Sequence, residues 1–384
     1  MAAVTGPDAR AARRDGPVAA EALAAIGLLA VDGLGPARIR ALVERYGSAV
    51  EALRAARSGA LDPLLPPKLR ARVRTARPAD PREAAAGLGP GTRLIPFTSP
   101  DYPEGLRRLH HPPPVLWARG PLRADAARSV CIVGTRRATE YGRRAARRLA
   151  AGLAEAGWRI VSGLAHGVDA EAHRAALEAG GETVGVPGCG LRHAYPASSR
   201  PLYRALAARG LILTEFPPAE PPLPQNFPRR NRVLAGLSRA VVVVQAGARS
   251  GALITADEAT AIGMDVLAVP GPIDLPVSEG VHDLLRSGAG VAADVRDVLD
   301  ALGEPPSATR GTGASAPSDR AGAARPPDPD AGRILDGLRD GARHVDELCG
   351  ATGLGIAATL SMLGRLEAAG TVRALPGGRY EAAG

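Results

Sequence analysis

Short apolar segments alternate with longer amphipathic segments through the middle of the chain. The apolar segments are five or six residues long and rich in β-branched residues, which is typical of buried strands, and helical spacing fills most of the gaps. The predicted strands are SVCIV (129–133), WRIVS (158–162), ETVGV (182–186), LILTE (211–215), AVVVVQ (240–245) and DVLAV (265–269). The alternation predicts an α/β fold with a doubly wound, Rossmann-like parallel sheet in a core domain at residues 91–302. Ligands of such sheets gather at the carboxyl ends of the strands.

Residues 18–90 are predicted to form a small N-terminal all-α domain of the helix-hairpin-helix (SAM-like) type. The segment Leu28 to Leu53 shows two apolar helical patterns joined by a Gly-Leu-Gly turn, with Pro36 at a first helical position. Such a hairpin can offer backbone N–H groups to a DNA phosphate. Short helical hairpins with glycine turns are also common in domains that bind nothing, so both interpretations stay open.

The end of the chain predicts a flexible linker followed by a winged helix. Residues 303–330 are rich in Pro, Gly, Ser and Ala, which is typical of a linker. Residues 331–384 show three helical segments and a hairpin centred on Pro376, Gly377 and Gly378. Residues 301–384 carry 9 basic and 10 acidic side chains, which favours a protein contact or simple packing over DNA binding by this unit.

The composition indicates a folded protein with a modest preference for anionic partners. The chain has 384 residues and a net charge of +9, but arginine carries nearly all the positive charge because Lys68 is the only lysine. A general compositional bias therefore explains part of the charge. The N-terminal stretch has no apolar signal segment, no segment is long enough to span a bilayer, and the three cysteines match no zinc spacing. We expect a cytoplasmic protein without a membrane partner.

The turn after the first core strand lacks the glycines of a dinucleotide site. It reads GTRRATEYG from Gly134 to Gly142, where a nicotinamide or flavin protein has G-x-G-x-x-G. The chain is therefore expected to bind no such cofactor. Gly134, Thr135 and Arg136 still place a hydroxyl and a guanidinium before a helix, which suits a phosphate. SGLAHGVD (162–169) and RSGALITADEA (249–259) repeat a small turn and a helix start, and together the three turns predict an anion-lined cleft.

The segment QNFPRRNRVLAGLS (225–238) places an aromatic ring among arginines. Phe227 is one of three phenylalanines in the chain and is expected in a proline-rich loop, with Arg229, Arg230 and Arg232 just behind it. Base stacking next to cations is how proteins hold single strands without sequence choice. A lone phenylalanine can equally anchor a loop, and the sequence leaves both roles open for Phe227.

Two groups have the residue types of a catalytic or metal site. His166, Asp169 and His173 could share one face at a helix start, but their spacing matches no known zinc site. Cys189 and His193 could be a nucleophile and its base, although neighbours in sequence rarely form such a dyad. We therefore assign no catalytic residue and no metal ligand.

These motifs together resemble the DNA-processing protein A family (DprA/Smf). The resemblance runs from PDYPEGLRRLHHPPPVLWARG (100–120) through IVGTRRATEYG, IVSGLAHGVDAEAHRAALEAGG, VPGCGLRHAYP, LTEFPP, NFPRRNRVLAGLS, SGALITA and VPGPI. It implies a non-enzymatic, dimeric protein that binds and protects single-stranded DNA and loads a RecA-type recombinase during natural transformation. The residues that it places at the DNA are Gly134, Thr135, Arg136, Ser162, Gly163, His166, Asn226, Phe227, Arg229, Arg230, Asn231, Arg232, Ser250 and Gly251.

Two positions depart from the pattern of the family. His166 stands where relatives commonly have arginine, and His282 stands where asparagine is frequent. A neutral imidazole has no fixed charge, so a DNA contact by His166 would depend on pH.

Two other functional classes compete with this interpretation. A nucleotide-processing enzyme similar to the lysine-decarboxylase-like phosphoribohydrolases would carry a PGGxGTxxE motif, but VVQAGARSGALITADEA lacks the paired glycines, and Glu258 is displaced. A sequence-specific regulator acting through the winged helix is disfavoured by the acidic balance of that segment.

Overall fold

The computed structural model describes residues 17–61, 65–80, 84, 91–124, 128–303, 329–339, 341, 343–368, 371–375 and 379–382. The chain forms two compact units, Met1–Ala308 and Thr309–Gly384. Most of the predicted linker, residues 304–328, lies outside the described residues.

A mixed sheet runs through the larger unit, and its described strands have the order β1-β2-β6-β5-β4-β3-β7-β8-β9. In the order of the sheet, all neighbouring strands between β6 and β9 pair in parallel. The strand β2 pairs antiparallel with both β1 and β6. The strands are β1 Thr92–Pro96, β2 Val115–Arg119, β3 Ser129–Val133, β4 Arg159–Ser162, β5 Thr183–Gly185, β6 Leu211–Thr214, β7 Ala240–Val243, β8 Asp265–Ala268 and β9 Gly290–Val291.

All six predicted core strands are confirmed, each within about two residues of its expected bounds. They form because β-branched side chains pack well on a sheet that helices cover on both faces. The strands β1 and β2 at one end of the sheet and β9 at the other were not predicted. β9 has two residues, and the antiparallel strands β1 and β2 precede the alternating strand–helix pattern that marks the rest of the sheet.

Helices cover both faces of the sheet, which confirms the doubly wound class. Along β3, Val130 and Ile132 pack into one apolar core, whereas Cys131 and Val133 pack into another on the opposite face. The helices of this unit are α1 Pro17–Leu29, α2 Pro36–Tyr46, α3 Ala49–Ser58, α4 Pro67–Arg74, α5 Glu104–Arg107, α6 Glu140–Glu155, α7 Val168–Glu178, α8 Arg200–Arg209, α9 Asn226–Gly236, α10 Gly251–Ala261, α11 Glu279–Arg286 and α12 Val295–Ala301. No described helix is long and apolar enough to cross a bilayer.

The strand order reverses between β3 and β7. The chain proceeds outward from β3 through β4 and β5 to β6, and it then returns to place β7 on the other side of β3. At such a switch point the turns that follow the two strands separate and leave a crevice. The crevice lies at the turns after Val133 and Val243.

The N-terminal helices α1–α4 pack on one another and on the sheet. Pro36 begins α2, and Gly33 has a φ of 85°, which favours glycine in the turn. The helices α1–α4 share one apolar core with Trp117 of β2. The buried carboxylate of Glu21 accepts hydrogen bonds from the N–H of Ala49 at 2.5 Å and the hydroxyl of Thr98 at 3.1 Å, so it ties the helices to the loop after β1. The helix-hairpin-helix assignment and its bounds stay predictions.

The smaller unit has the predicted winged-helix elements. It contains helices α13 Pro329–Gly337, α14 Val345–Thr352 and α15 Ile356–Ala368, and strands β10 Arg343–His344, β11 Val372–Leu375 and β12 Arg379–Ala382 in the order β10-β12-β11. Ile334, Leu348 and Leu363 from the three helices form its core. The predicted wing turn at residues 376–378 lies outside the described residues.

His173 on α7 is fully buried against the sheet. The hydroxyl of Thr183 donates to the carbonyl of Ile160 at 2.8 Å, so it accepts from Nδ1–H of His173, which lies 2.7 Å away. Nε2 is buried without a hydrogen-bond partner in the described structure. Burial lowers the pKa of His173 from 6.5 to about 3, so the ring is neutral at physiological pH.

We expect His173 to make folding sensitive to acid. The unfolded chain binds a proton at this ring below pH 6.5, whereas the folded chain does so only near pH 3, so stability falls as pH decreases across this interval. The loss is at most about 1.4 kcal/mol per pH unit. Urea unfolding at pH 7 and pH 5 should show that the wild type loses about 2 kcal/mol more than His173→Asn. An equal loss in both proteins would contradict this role.

Candidate nucleic-acid interface

An open cavity of about 510 Å³ occupies the crevice at the switch point. The turns after β3, β4 and β7 and the first turn of α9 contribute to its wall. Eight of the residues predicted at the DNA line it, namely Gly134, Thr135, Arg136, Phe227, Arg230, Asn231, Ser250 and Gly251. Gly163 and His166 line a smaller adjoining cavity of about 80 Å³ that shares Arg136, Tyr195 and Phe227 with the first. The fold thus brings most of the predicted site together.

Arg136 presents an exposed guanidinium at this cavity. It lies in the turn between β3 and α6, as the sequence predicted, and Thr139 caps the helix by accepting from the N–H of Gly142 at 3.2 Å. Within the described residues no carboxylate pairs with Arg136. Its Cζ lies 5.0 Å from the centre of the Phe227 ring, which is a cation–π contact. A positive charge without a carboxylate partner is available to an anionic ligand.

Phe227 lies in the first turn of α9, so its predicted position in a loop was wrong. The helix begins at Asn226, directly after a proline-rich segment. Pro228 is tolerated there because the first turn of a helix has no intrahelical partner for its N–H groups. The helix holds the Phe227 backbone more firmly than a loop would.

The half-buried ring of Phe227 packs between small and aromatic neighbours. A Cβ placed on Gly188 would lie 2.7 Å from the ring, so this glycine lets the ring approach the backbone. The ring of Tyr195 lies 5.5 Å from that of Phe227 at an interplanar angle of 49°. Tyr195 is 40% exposed and lines both cavities, although it was not among the residues predicted at the DNA. Its placement before Pro196 in a turn motif was the available signal.

Arg230 is buried beneath the cavity and is 5% exposed. Its guanidinium donates to the carbonyl of Gly163 at 2.8 Å and to that of Val186, and it faces the buried Asp169. The Asp169 carboxylate in turn accepts from the N–H groups of Gly163 at 3.1 Å and Ala165 at 3.3 Å. Burial raises the pKa of Asp169, and Arg230 opposes that rise; burial lowers the pKa of Arg230, and Asp169 opposes that fall.

Arg229 and Arg232 both pair with the buried carboxylate of Glu215. The distances to Glu215 Oε2 are 3.0 Å from Arg229 and 2.6 Å from Arg232. Arg232 is buried, whereas Arg229 is exposed and lies 5.3 Å from the ring of Phe216. Neither residue lines the cavity, so this half of the basic segment joins α9 to the end of β6.

Five of the predicted residues have polar neighbours within the protein. The Ser162 hydroxyl donates to the carbonyl of Ile132 at 2.6 Å, and the Asn226 amide donates to Glu220 at 3.0 Å. The Asn231 amide donates to the carbonyl of Gly251 at 2.9 Å, and the Ser250 hydroxyl caps α10. His166 is exposed, with Nε2 3.5 Å from the Ser198 hydroxyl. The DNA contacts assigned to these residues stay predictions.

Cys189 and His193, which the sequence offered as a nucleophile and its base, contact different partners. The Cys189 thiol donates to the backbone carbonyl of His193, while the His193 ring lies 3.1 Å from the carbonyl of Ala219. Burial raises the pKa of the Cys189 thiol to about 11, so it is protonated near neutral pH. Among the described residues no three His, Cys, Asp or Glu side chains are placed to hold a metal ion.

The fold and the site define a Rossmann-like protein with a cation-bearing crevice at its switch point and an appended winged helix. Residues 93–303 match the family model of DNA recombination-mediator protein A, and residues 318–378 match that of the DprA winged helix domain. The chain is 39% identical over 359 residues to the DNA processing protein DprA of Mycobacterium tuberculosis, which covers 87% of each chain. It is 37% identical over 295 residues to protein Smf of Escherichia coli, covering 75% of this chain and 77% of the relative. The chain belongs to the DNA recombination-mediator protein A family.

Solved structures agree with this assignment. The crystal structure of DprA from Streptococcus pneumoniae superposes with a TM-score of 0.64 at 32% identity, covering 72% of this chain and 97% of that one. DprA from Helicobacter pylori superposes with a TM-score of 0.50 at 29% identity, covering 55% and 95%. The second structure describes the single-stranded DNA binding mode of that protein.

We expect Arg230→Met to destabilise the fold, because it leaves the buried carbonyls of Gly163 and Val186 without their donor, at about 1–3 kcal/mol for each unsatisfied group, and removes the positive charge that faces Asp169. The double variant Asp169→Asn/Arg230→Met should recover part of that loss, since no unpaired charge remains. Urea unfolding of both variants at pH 7 measures the two values. A single variant as stable as the wild type would show that Arg230 has no structural role.

Proposed function

We propose that this protein is a recombination mediator that binds single-stranded DNA in the crevice at the switch point. The sugar-phosphate chain lies against Arg136 and the backbone N–H groups of the surrounding turns, and bases lie on the aromatic side chains. Membership of the recombination-mediator family supports the role in DNA processing. The relative whose single-stranded DNA binding mode has been described supports the choice of ligand.

The observation that carries the proposal is the contact between Arg136 and Phe227. An exposed guanidinium without a carboxylate partner in the described structure lies 5.0 Å from the centre of a half-buried ring. A phosphate attracted to Arg136 is then close to an aromatic surface on which its base can stack. Stacking accepts every base, because each has a π-face, so this arrangement suits a single strand of any sequence.

The partners of the proposed activity are those that the resemblance to the family implies. We propose that the protein acts in the cytoplasm as a homodimer, protects the strand it holds, and loads a RecA-type recombinase onto it. No cofactor has a part in this activity, because holding and transferring a strand requires no bond to be made or broken.

The phosphoribohydrolase alternative requires a carboxylate that can act on a nucleotide. Among the described residues that line the cavity, Asp169 is the only carboxylate, and two backbone N–H groups and Arg230 already surround it. Glu258 lies on α10 and does not line the cavity. Release of free base from a nucleoside monophosphate by the purified protein would decide for the enzyme.

We expect Arg136→Ala to weaken binding of single-stranded oligonucleotides and to flatten its salt dependence. Each lost phosphate contact lowers the slope of log K against log salt by about 0.7. Titrations at several ionic strengths measure this slope. Arg148→Ala is the matched control, because it removes the same charge from an exposed side chain of α6 outside the cavity. Equal slopes for the wild type and Arg136→Ala would reject the phosphate contact.

Substitution of Phe227 separates stacking from anchoring. If the ring stacks on a base, Phe227→Leu and Phe227→Ala should both lose about 1–3 kcal/mol of binding free energy. Leucine still packs beside Gly188, so Phe227→Leu should fold as the wild type does. Binding of Phe227→Leu at wild-type affinity would mean that the residue anchors the helix and does not stack.

A further inference from the structure

The turn that carries Arg136 is fixed from two sides. The N–H of Thr135 donates to the backbone carbonyl of Gln245 at 2.7 Å, and the carbonyl of Thr135 accepts from the N–H of Val168 at 3.4 Å. Gly167 allows the second approach, since a Cβ there would lie 2.4 Å from the carbonyl oxygen of Thr135. The backbone of the turn is thus held between the end of β7 and the start of α7, while the guanidinium of Arg136 stays exposed.

The Gln245 side chain adds a third attachment at the far end of the turn. Gln245 is fully buried just after β7, where the strand order reverses. Its Oε1 accepts from the N–H of Thr139 at 3.0 Å, and its Nε2 donates to the Thr139 hydroxyl at 2.9 Å. The same hydroxyl caps α6. The backbone and side chain of one residue therefore hold both ends of the turn from residue 135 to residue 139.

Glycines leave just enough space for this glutamine. A Cβ on Gly142 would lie 2.1 Å from Gln245 Oε1, and a Cβ on Gly134 would lie 2.9 Å from the backbone oxygen of Gln245. Atoms do not approach that closely, so a larger residue at Gly142 displaces the carboxamide. The position of the carboxamide thus depends on a glycine at the helix start.

We propose that Gln245 is a positioning residue for DNA binding, which acts by fixing the turn so that Arg136 points its guanidinium into the crevice. The inference rests on the proposed function. Gln245 holds the backbone on either side of Arg136. Within the described residues no carboxylate lies at ion-pair distance from Arg136, so the turn and the ring of Phe227 determine where its charge lies. A fixed charge binds a phosphate more tightly than a mobile one because less conformational entropy is lost on binding.

A double-mutant cycle with Arg136 tests this role. Gln245→Met keeps the length of the side chain and removes both hydrogen bonds to Thr139. We expect it to weaken binding of a single-stranded oligonucleotide about tenfold, comparable to Arg136→Ala, since one charged contact is affected in each case. If Gln245 acts through Arg136, the double variant Gln245→Met/Arg136→Ala binds no more weakly than Arg136→Ala alone. Circular dichroism melting of each variant establishes that it folds.

Gly142→Ala provides a second test that leaves the glutamine in place. Alanine has a higher helix propensity than glycine, so a lower propensity of α6 does not explain a loss of binding by this variant. We expect it to reproduce the binding loss of Gln245→Met, because the new methyl group displaces the carboxamide. Gly364→Ala on α15 is the control, because a Cβ at Gly364 meets nothing within 4 Å. Gly152→Ala is unsuitable, because its Cβ would lie 2.5 Å from the side chain of Val295.

The outcomes separate the inference from the proposed function. Wild-type affinity for Gln245→Met, or losses that add fully in the double variant, would overturn the positioning role and leave the DNA contact of Arg136 standing. If Arg136→Ala itself leaves affinity and salt slope unchanged, the proposed contact fails and the positioning role fails with it. Non-additive losses with an intact fold support the inference.

Discussion

The buried guanidinium of Arg230 is the contact on which the architecture of the crevice depends. It joins α9 to the turn after β4 through Gly163 and to the end of β5 through Val186, and its charge faces Asp169. A buried charge is tolerated only when a partner charge and hydrogen bonds replace water. Because Asp169 also accepts from the backbone of the turn after β4, the pair holds helix, turn and strand end in one arrangement.

The basic segment 225–238 has two parts in the structure: its arginines have partners inside the protein, whereas Phe227 lines the cavity. Arg229 and Arg232 pair with Glu215, and Arg230 donates to the buried carbonyls of Gly163 and Val186, so the structure uses most of the positive charge of α9 internally. The residues that α9 contributes to the wall of the crevice include Phe227, Asn231 and the buried Arg230. The exposed cation comes instead from Arg136 in a different segment, and it reaches the ring because β3 and β7 are neighbours at the switch point.

The crevice combines a backbone that buried residues hold in place with exposed side chains that can change conformation. The turns around the crevice have buried anchors such as Asp169 and Gln245, whereas the side chains that face the cavity, Arg136 and Tyr195, are exposed. A flexible polyanion requires fixed positions for its phosphates but tolerance for its bases. A rigid backbone with exposed charged and aromatic side chains meets both requirements.

The sequence by itself determined the α/β class, the six core strands, the helices of the winged unit and the turns that meet in the crevice. These follow from local apolar patterns and from the rule that carboxyl ends of parallel strands share an edge. Only the tertiary structure decided which arginines face the cavity, that Phe227 starts a helix, that Tyr195 lines the cavity, and that Gln245 holds the turn of Arg136. The sequence around an arginine does not show whether a carboxylate from a distant part of the chain lies beside it. That distinction arises only when Glu215 and Asp169 are brought beside them by the packing of the sheet.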